Sequence, residues 1–190
     1  MKVLLINGSP NKQGNTYTAL AEIASQLDKH HIESEIVWIG HKPVRGCIAC
    51  CQCRENGNNK CVFDDDITNT IISKMTHSDA VIIGSPVYYG QPAGPVLCMQ
   101  QRAFFAGGAN FMGKPAAAVA ICRRGGATAV YQTLLMPFQM MNMPIVTSQY
   151  WNIAYGRTPG EVANDTEGMQ TMRTLADNMA KLLQCQALNN

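Results

Sequence analysis

The chain carries 190 residues, 46% of them apolar, with a formal net charge of +2. That length suits one α/β domain with a sizeable core, and charges of mixed sign give no case for a nucleic-acid or anionic-membrane partner. The longest apolar runs, residues 3–6 and 116–122, have strand length rather than membrane-spanning length, and no secretory pattern opens the chain, so a cytoplasmic protein is expected.

Residues 2–7 read as a strand built on Val3, Leu4, Leu5 and Ile6, and 8–15 as a loop of glycine, asparagine, serine and proline. From Thr16 onward, Leu20, Ile23, Ala24 and Leu27 recur at helical spacing. A second strand is expected over 35–39, followed by a long cysteine-rich, turn-rich stretch over 40–66. Ile67, Ile71, Ile72 and Met75 mark one face of a short helix, and 80–84 is a continuous apolar strand of the kind covered by helices on both faces. A loop over 85–93 leads to a helix near 94–105. Strand four is expected at 115–122, a basic glycine turn at 123–126, and a helix from there to about Met140. Strand five is placed at 144–148 and an aromatic segment at 150–155. A last helix then shows Met172, Leu175, Met179, Leu182 and Leu183 on one face.

Strands thus alternate with helices, which implies a parallel sheet with helices on both sides. Five strands suit the flavodoxin-like order 2-1-3-4-5, a three-layer α/β fold. In that order a ligand binds at the carboxyl ends of strands one and three, where the winding reverses.

Both of those ends carry unusual loops. The first, from Asn7 to Thr16, joins a buried strand to a helix, so its backbone N–H groups meet the positive end of a helix dipole. Ser9, Asn11, Asn15 and Thr16 add side-chain donors suited to a phosphate, around Gly14. The lysine of a Walker loop and the pattern G-x-G-x-x-G are both missing, which argues against triphosphate or dinucleotide binding by those routes. An ordinary βα turn with an Asn or Thr cap is the plainer alternative.

The second loop reads Gly84-Ser85-Pro86-Val87-Tyr88-Tyr89-Gly90-Gln91-Pro92. Its prolines and glycines stiffen and bend the backbone, and its tyrosines offer flat faces to a planar ring such as a flavin. A tight loop with core tyrosines is the alternative. On the same rim, Arg124, Gly125 and Gly126 offer a cation and N–H groups to the charge that builds on a reduced flavin, against a plainer fate as solvated arginines.

Eight cysteines are present, and five of them (Cys47, Cys50, Cys51, Cys53, Cys61) fall within fifteen residues. Cys47-x2-Cys50-x2-Cys53-x7-Cys61 offers four thiolates to one [4Fe–4S] cluster, with Cys51 left over. Zinc also suits four thiolates, and a reduced, metal-free loop beside the site or at a subunit contact is the third reading. Cys98, Cys122 and Cys185 read as packing residues. The methionine-rich stretch 136–143 reads as core or subunit contact, Trp151 and Tyr155 as pocket or interface aromatics, and none of the four histidines falls in a candidate loop of the flavin site.

Taken together, the chain resembles the NAD(P)H-dependent FMN reductase family, and within it the iron–sulfur-flavoprotein-like branch. The resemblance rests on Gly8-Ser9-Pro10 with Gly14-Asn15-Thr16, on Gly84-Ser85-Pro86-Val87-Tyr88, on the cysteine stretch ending Cys61-Val62-Phe63-Asp64-Asp65-Asp66, and on Tyr150-Trp151-Asn152. It implies one FMN-binding domain over 1–190 with a cysteine-rich insertion at about 40–66. The phosphate would sit on Ser9, Asn11, Gly14, Asn15 and Thr16, and the ring against Pro86, Val87, Tyr88, Tyr89 and Gly90, approaching Arg124, Gly125 and Gly126. It further implies NAD(P)H as co-substrate, a small-molecule electron acceptor (a quinone, azo or nitro compound, or flavin), and a homodimer or homotetramer. The flavin would carry the chemistry, so no catalytic side chain is assigned. The rival function is a flavin and iron–sulfur electron carrier that docks on redox proteins. A fold that binds no flavin is the third class.

Overall fold

In the first strand, β1 (Lys2–Asn7), residues Val3 to Ile6 have no exposed surface at all, so both of its faces are covered. In a computed structural model of the chain, which describes residues 1–188, β1 runs parallel to β2 (Glu33–Trp38) on one side and to β3 (Ala80–Tyr88) on the other. β5 (Ala116–Cys122) adds to β3, and β6 (Ile153–Tyr155) closes the edge, giving the order β2-β1-β3-β5-β6. A two-residue strand, β4 (Gln91–Pro92), folds back antiparallel on the end of β3. Counting the parallel strands alone, this is the 2-1-3-4-5 flavodoxin-like order that the sequence predicts.

Alternation along the strands sends side chains to two separate cores. Val3, Leu5, Ile82, Ala117 and Val119 pack under α1 (Asn15–Lys29) and α6 (Thr166–Leu188). Leu4, Ile6, Val81, Ile83, Ala118 and Ala120 pack under α3 (Thr68–Thr76), α4 (Gly94–Gly107) and α5 (Ala127–Met140). The helix faces are those marked by the periodicity: Leu20, Ile23 and Leu27 on α1, and Met172, Leu175, Met179 and Leu183 on α6, are buried. Among the described residues, no helix is long and apolar enough to cross a membrane.

Two elements differ from expectation. The segment 144–148 makes only one bridge, Ile145 opposite Ala116; the chain then leaves the sheet and returns as β6, with Ile153 opposite Ala120. Thr147, Ser148 and Gln149 have little to bury there, whereas Ile153 and Ala154 are buried. The expected loop 85–93 is in large part a hairpin, since Ser85 and Pro86 stay in register with Ala120 and Ile121. β1 ends opposite Gly84, so β3 has one parallel neighbour beyond that point, where a proline is tolerated. The cysteine-rich stretch also holds a short unexpected helix, α2 (Gln52–Asn56).

Candidate cofactor site

The loop after β1 is shaped by neighbours on both sides. Gly8 N–H donates to the carbonyl of Gly84 on β3 at 2.9 Å. Asn7, fully buried, accepts from Ser9 N–H at 3.1 Å and donates its Nδ2 to the Lys12 carbonyl at 3.1 Å. Ser9 Oγ accepts from Asn11 N–H at 3.1 Å, and Trp38 Nε1, at the end of β2, donates to the Ser9 carbonyl at 2.8 Å. These bonds fix the curve of the loop. Gly14 stands at the N-cap of α1, where among the described residues no side chain caps the helix. Its first N–H groups face the loop as an anion site.

The expected donors are not equivalent. Ser9 and Thr16 are buried at the loop wall, Asn11 is exposed, and Asn15 commits its Oδ1 to Val162 N–H at 3.2 Å. Two contributors are absent from the sequence expectation: Asn7 and Trp38, whose side chains set the loop backbone.

The two expected loops do meet. A cleft of about 180 Å³ is lined by Gly8, Pro10, Gly40, Tyr88, Ala93 and Gly94, so Tyr88 stands over the mouth of the first loop. Tyr89 and Gly90 both have positive φ, +52° and +76°, as a type I′ hairpin turn requires, and Tyr89 is wholly exposed. Ser85 Oγ accepts from Ala93 N–H at 2.9 Å and locks the hairpin to the start of α4. Gly126, at φ +85°, lies so close to the hairpin that a Cβ there would stand 3.1 Å from Gly90 Cα and 3.2 Å from Val87 Cγ1. A second, open cleft of about 310 Å³ follows, lined by Val87, Tyr89, Gly90, Cys122, Arg123, Arg124 and Gly125. A larger groove of about 610 Å³ lies at the opposite, amino end of the strands, but its lysine, Lys114, is spent on the carbonyls of Met75, Thr76 and Ser78.

Cys47, Cys50, Cys51, Cys53 and Cys61 ring one small pocket, whose other walls are Ile48, Val62, Phe63, Phe105, Ala106 and Arg102. Burial pushes the Cys53 thiol up, and the neighbouring Cys61 and Cys50 add to that rise. Ala49 and Cys51 are both left-handed, at φ +54° and +58°, conformations that persist only where the surroundings impose them. Among the described residues, no three Cys, His, Asp or Glu side chains converge closely enough to hold a single metal ion. Thiolates around one zinc stand about 2.3 Å from the metal and thus close to one another. The cysteines instead ring a small apolar pocket of about 20 Å³, and Cys47, Cys50, Cys53 and Cys61 are the all-thiolate donor set that a four-iron cluster takes. Of the remaining cysteines, Cys122 is buried and Cys98 half-buried, whereas Cys185 is exposed rather than packed.

Arg102, from α4, is a further side chain that the sequence expectation missed. It is buried, donates Nε to Cys61 Sγ at 3.1 Å and Nη2 to the Phe63 carbonyl at 2.6 Å, and pairs Nη1 with Asp66. Burial alone would raise the Asp66 pKa; the hydrogen bonds from Thr68 and Arg102 outweigh it and hold the carboxyl below its usual range. Asn69 completes the anchor, accepting from Cys61 N–H and donating to the Cys61 carbonyl, each at 2.9 Å.

Residues 1–158 match the family model described as NADPH-dependent FMN reductase. The chain belongs to that family. Among its relatives, an iron-sulfur flavoprotein of Methanocaldococcus jannaschii is 32% identical, covering 96% of this chain and 97% of the relative. A second iron-sulfur flavoprotein, from Methanosarcina thermophila, is 29% identical over 97% and 96%. The structure of a flavodoxin from the domain Archaea superposes with a TM-score of 0.65 at 14% identity, over 97% of this chain and 99% of that one. As an FMN reductase family member the chain is a flavoprotein of the oxidoreductase class. Its uncapped α1, its close-packed Gly8 and its paired tyrosines fit a ligand that ends in a phosphate and carries a flat ring.

Proposed function

We propose that this FMN reductase family member is a two-centre redox protein. In this reading FMN sits on Ser9, Asn11, Gly14, Asn15 and Thr16 at its phosphate, and on Pro86, Val87, Tyr88, Tyr89, Gly90, Arg124, Gly125 and Gly126 at its ring. A [4Fe–4S] cluster sits on Cys47, Cys50, Cys53 and Cys61. The observation that carries the reading is the convergence of all these cysteines on one apolar pocket in a chain whose β1 and β3 loops also meet. Bound FMN supplies uptake of a hydride from a donor such as NAD(P)H and release of two electrons, and a cluster supplies one-electron exchange.

The protein's own residues bind and orient. Asn7 and Trp38 hold the loop in which the N–H groups of α1 face the phosphate. Tyr88 covers the entrance from one side. Arg124 and the N–H groups of Gly125 and Gly126 stabilise negative charge at the ring edge. When a hydride enters and two electrons leave, one proton is left over; the open cleft beside Tyr89 and Arg124 would release it to water, so no side chain is assigned as its acceptor.

The test is anaerobic purification followed by an absorption spectrum with iron and FMN analysis. One FMN and about four irons per chain support both centres; a flavin band without iron removes the cluster, and a colourless chain that takes up no FMN removes the reading altogether. A second reading, direct reduction of a small quinone, azo or nitro compound, is favoured by the open cleft beside Tyr89 and Arg124. NAD(P)H oxidation with such an acceptor, undiminished in a Cys53→Ser variant without iron, would establish it over relay to a redox partner.

A further inference from the structure

Arg102 lies on the inward face of α4 among Val96, Met99 and Ala103, where its side chain has no exposed surface. Burying a guanidinium is costly unless its donors are satisfied and its charge is matched. Here the donors reach Asp66, the Phe63 and Arg45 carbonyls and Cys61 Sγ. Asp66 alone neutralises the charge, and the Phe63 and Arg45 carbonyls alone would anchor both ends of the cysteine stretch to α4. The bond from Nε satisfies the remaining buried donor on a cysteine sulfur rather than on a carbonyl. It aims a cation at an atom that the preceding reading makes a cluster ligand.

We propose that Arg102 is a tuning residue for the cysteine site: its charged hydrogen bond to Cys61 Sγ stabilises the reduced cluster and so raises the reduction potential. The inference rests on the proposed four-cysteine cluster. Its physical basis is simple: each one-electron reduction adds a negative charge without making or breaking a bond. A fixed cation in a dry pocket favours the more negative state. Asp66, paired with the same guanidinium but outside the lining of the cysteine pocket, opposes it, so the pair sets the potential by its balance.

The test uses the full chain, purified anaerobically as wild type, Arg102→Gln, Arg102→Lys and Asp66→Asn, with iron content determined for each. Midpoint potentials are then read by dithionite titration in the presence of mediator dyes. Arg102→Gln is expected to disfavour reduction by about tenfold, roughly 59 mV for a one-electron couple. Asp66→Asn, which keeps a hydrogen-bond acceptor for Arg102 and removes a negative charge, is expected to shift the potential upward. Arg102→Lys keeps the charge, loses the fork, and should fall between wild type and Arg102→Gln. Opposite signs separate tuning from damage, since general loosening of the pocket would move both variants the same way. Should Arg102→Gln not fold, Asp66→Asn and Arg102→Lys carry the test. Equal potentials at full iron content, or shifts of one sign, overturn the tuning role while leaving the cluster in place. A wild type without iron overturns the cluster and the tuning with it.

Discussion

Trp38 Nε1 donates to the carbonyl oxygen of Ser9 at 2.8 Å, tying the end of β2 to the loop after β1 across a separation of 29 residues. Lys12 Nζ lies 5.8 Å from the centre of the same indole ring, so one side chain touches the loop at two points. Replacing Trp38 with Phe keeps an aromatic wall and removes the donor. A net hydrogen bond is worth about 0.5–1.5 kcal/mol. If the curve of this loop is what presents the α1 N–H groups, Trp38→Phe should weaken FMN binding by a factor of about 2–10. Titration of apo protein with FMN, followed by flavin fluorescence, measures it; unchanged affinity would show that the loop keeps its curve without the Trp38 bond.

Gly8 is constrained by space. A Cβ there would stand 2.2 Å from Val96 Cγ2 and 2.8 Å from the Gly84 carbonyl oxygen. Gly8→Ala should destabilise the fold by about 1–3 kcal/mol, the usual cost of forcing a methyl into packed surroundings. The double variant Gly8→Ala/Val96→Ala should recover only part of the loss, because the Gly84 carbonyl belongs to the central strand and cannot retreat. Urea denaturation of both proteins gives the comparison.

Much of this arrangement was legible beforehand, for a physical reason. Helix faces on α1, α3 and α6 follow local periodicity, and the doubly wound order follows from strand–helix alternation, so the meeting of the β1 and β3 loops was an expectation. β6 was not legible at its position, because three residues carry no periodic signal and the polar turn before it interrupts the apolar run at 144–146. Trp38, Asn7 and Arg102 escaped notice because their partners are set by the tertiary fold; Arg102 reaches Asp66 across 36 residues. One signal was there to find: an arginine on the apolar side of α4, between Met99 and Ala103.

Glu35 on β2 sits between Lys2 and Lys74, both within ion-pair reach. The hydrogen bond from Lys74 comes first and that from Lys2 second in holding its carboxyl below the ordinary range. A carboxyl with a depressed folded pKa contributes stability above its unfolded pKa and loses that contribution as pH falls through the folded value. Glu35 keeps about a third of its side-chain surface in water, 31%, so the contribution is modest, about 0.5–1 kcal/mol. Glu35→Gln should therefore be less stable than wild type near pH 7, and the gap should close as pH falls below the usual carboxylate range of about 4. Denaturation curves at a series of pH values test the sign; a gap that widens on acidification would contradict it.

The five clustered cysteines are not expected to be equivalent. Cys61 is held from several directions: its N–H and carbonyl bond Asn69, and its sulfur accepts from Arg102. Cys53 follows in α2 and is half-buried in the same pocket. Cys51, although it lines that pocket, stands at the N-cap of α2 in a left-handed conformation, and its thiol is directed to the Ala49 carbonyl at 3.6 Å. A thiol used as a local donor is poorly placed to serve as a thiolate ligand. Single replacement by serine should thus divide the set. Cys51→Ser is expected to keep wild-type iron and the broad visible absorption of a cluster, whereas Cys47→Ser, Cys50→Ser, Cys53→Ser and Cys61→Ser should each lose most of both, with the flavin band retained. Retention of FMN is the control, because the cysteine pocket and the Gly8–Tyr88 cleft share no lining residue. Loss of iron in Cys51→Ser, with retention in Cys47→Ser, would mean that the cluster is ligated by Cys51 in place of Cys47 and that the loop rearranges around it.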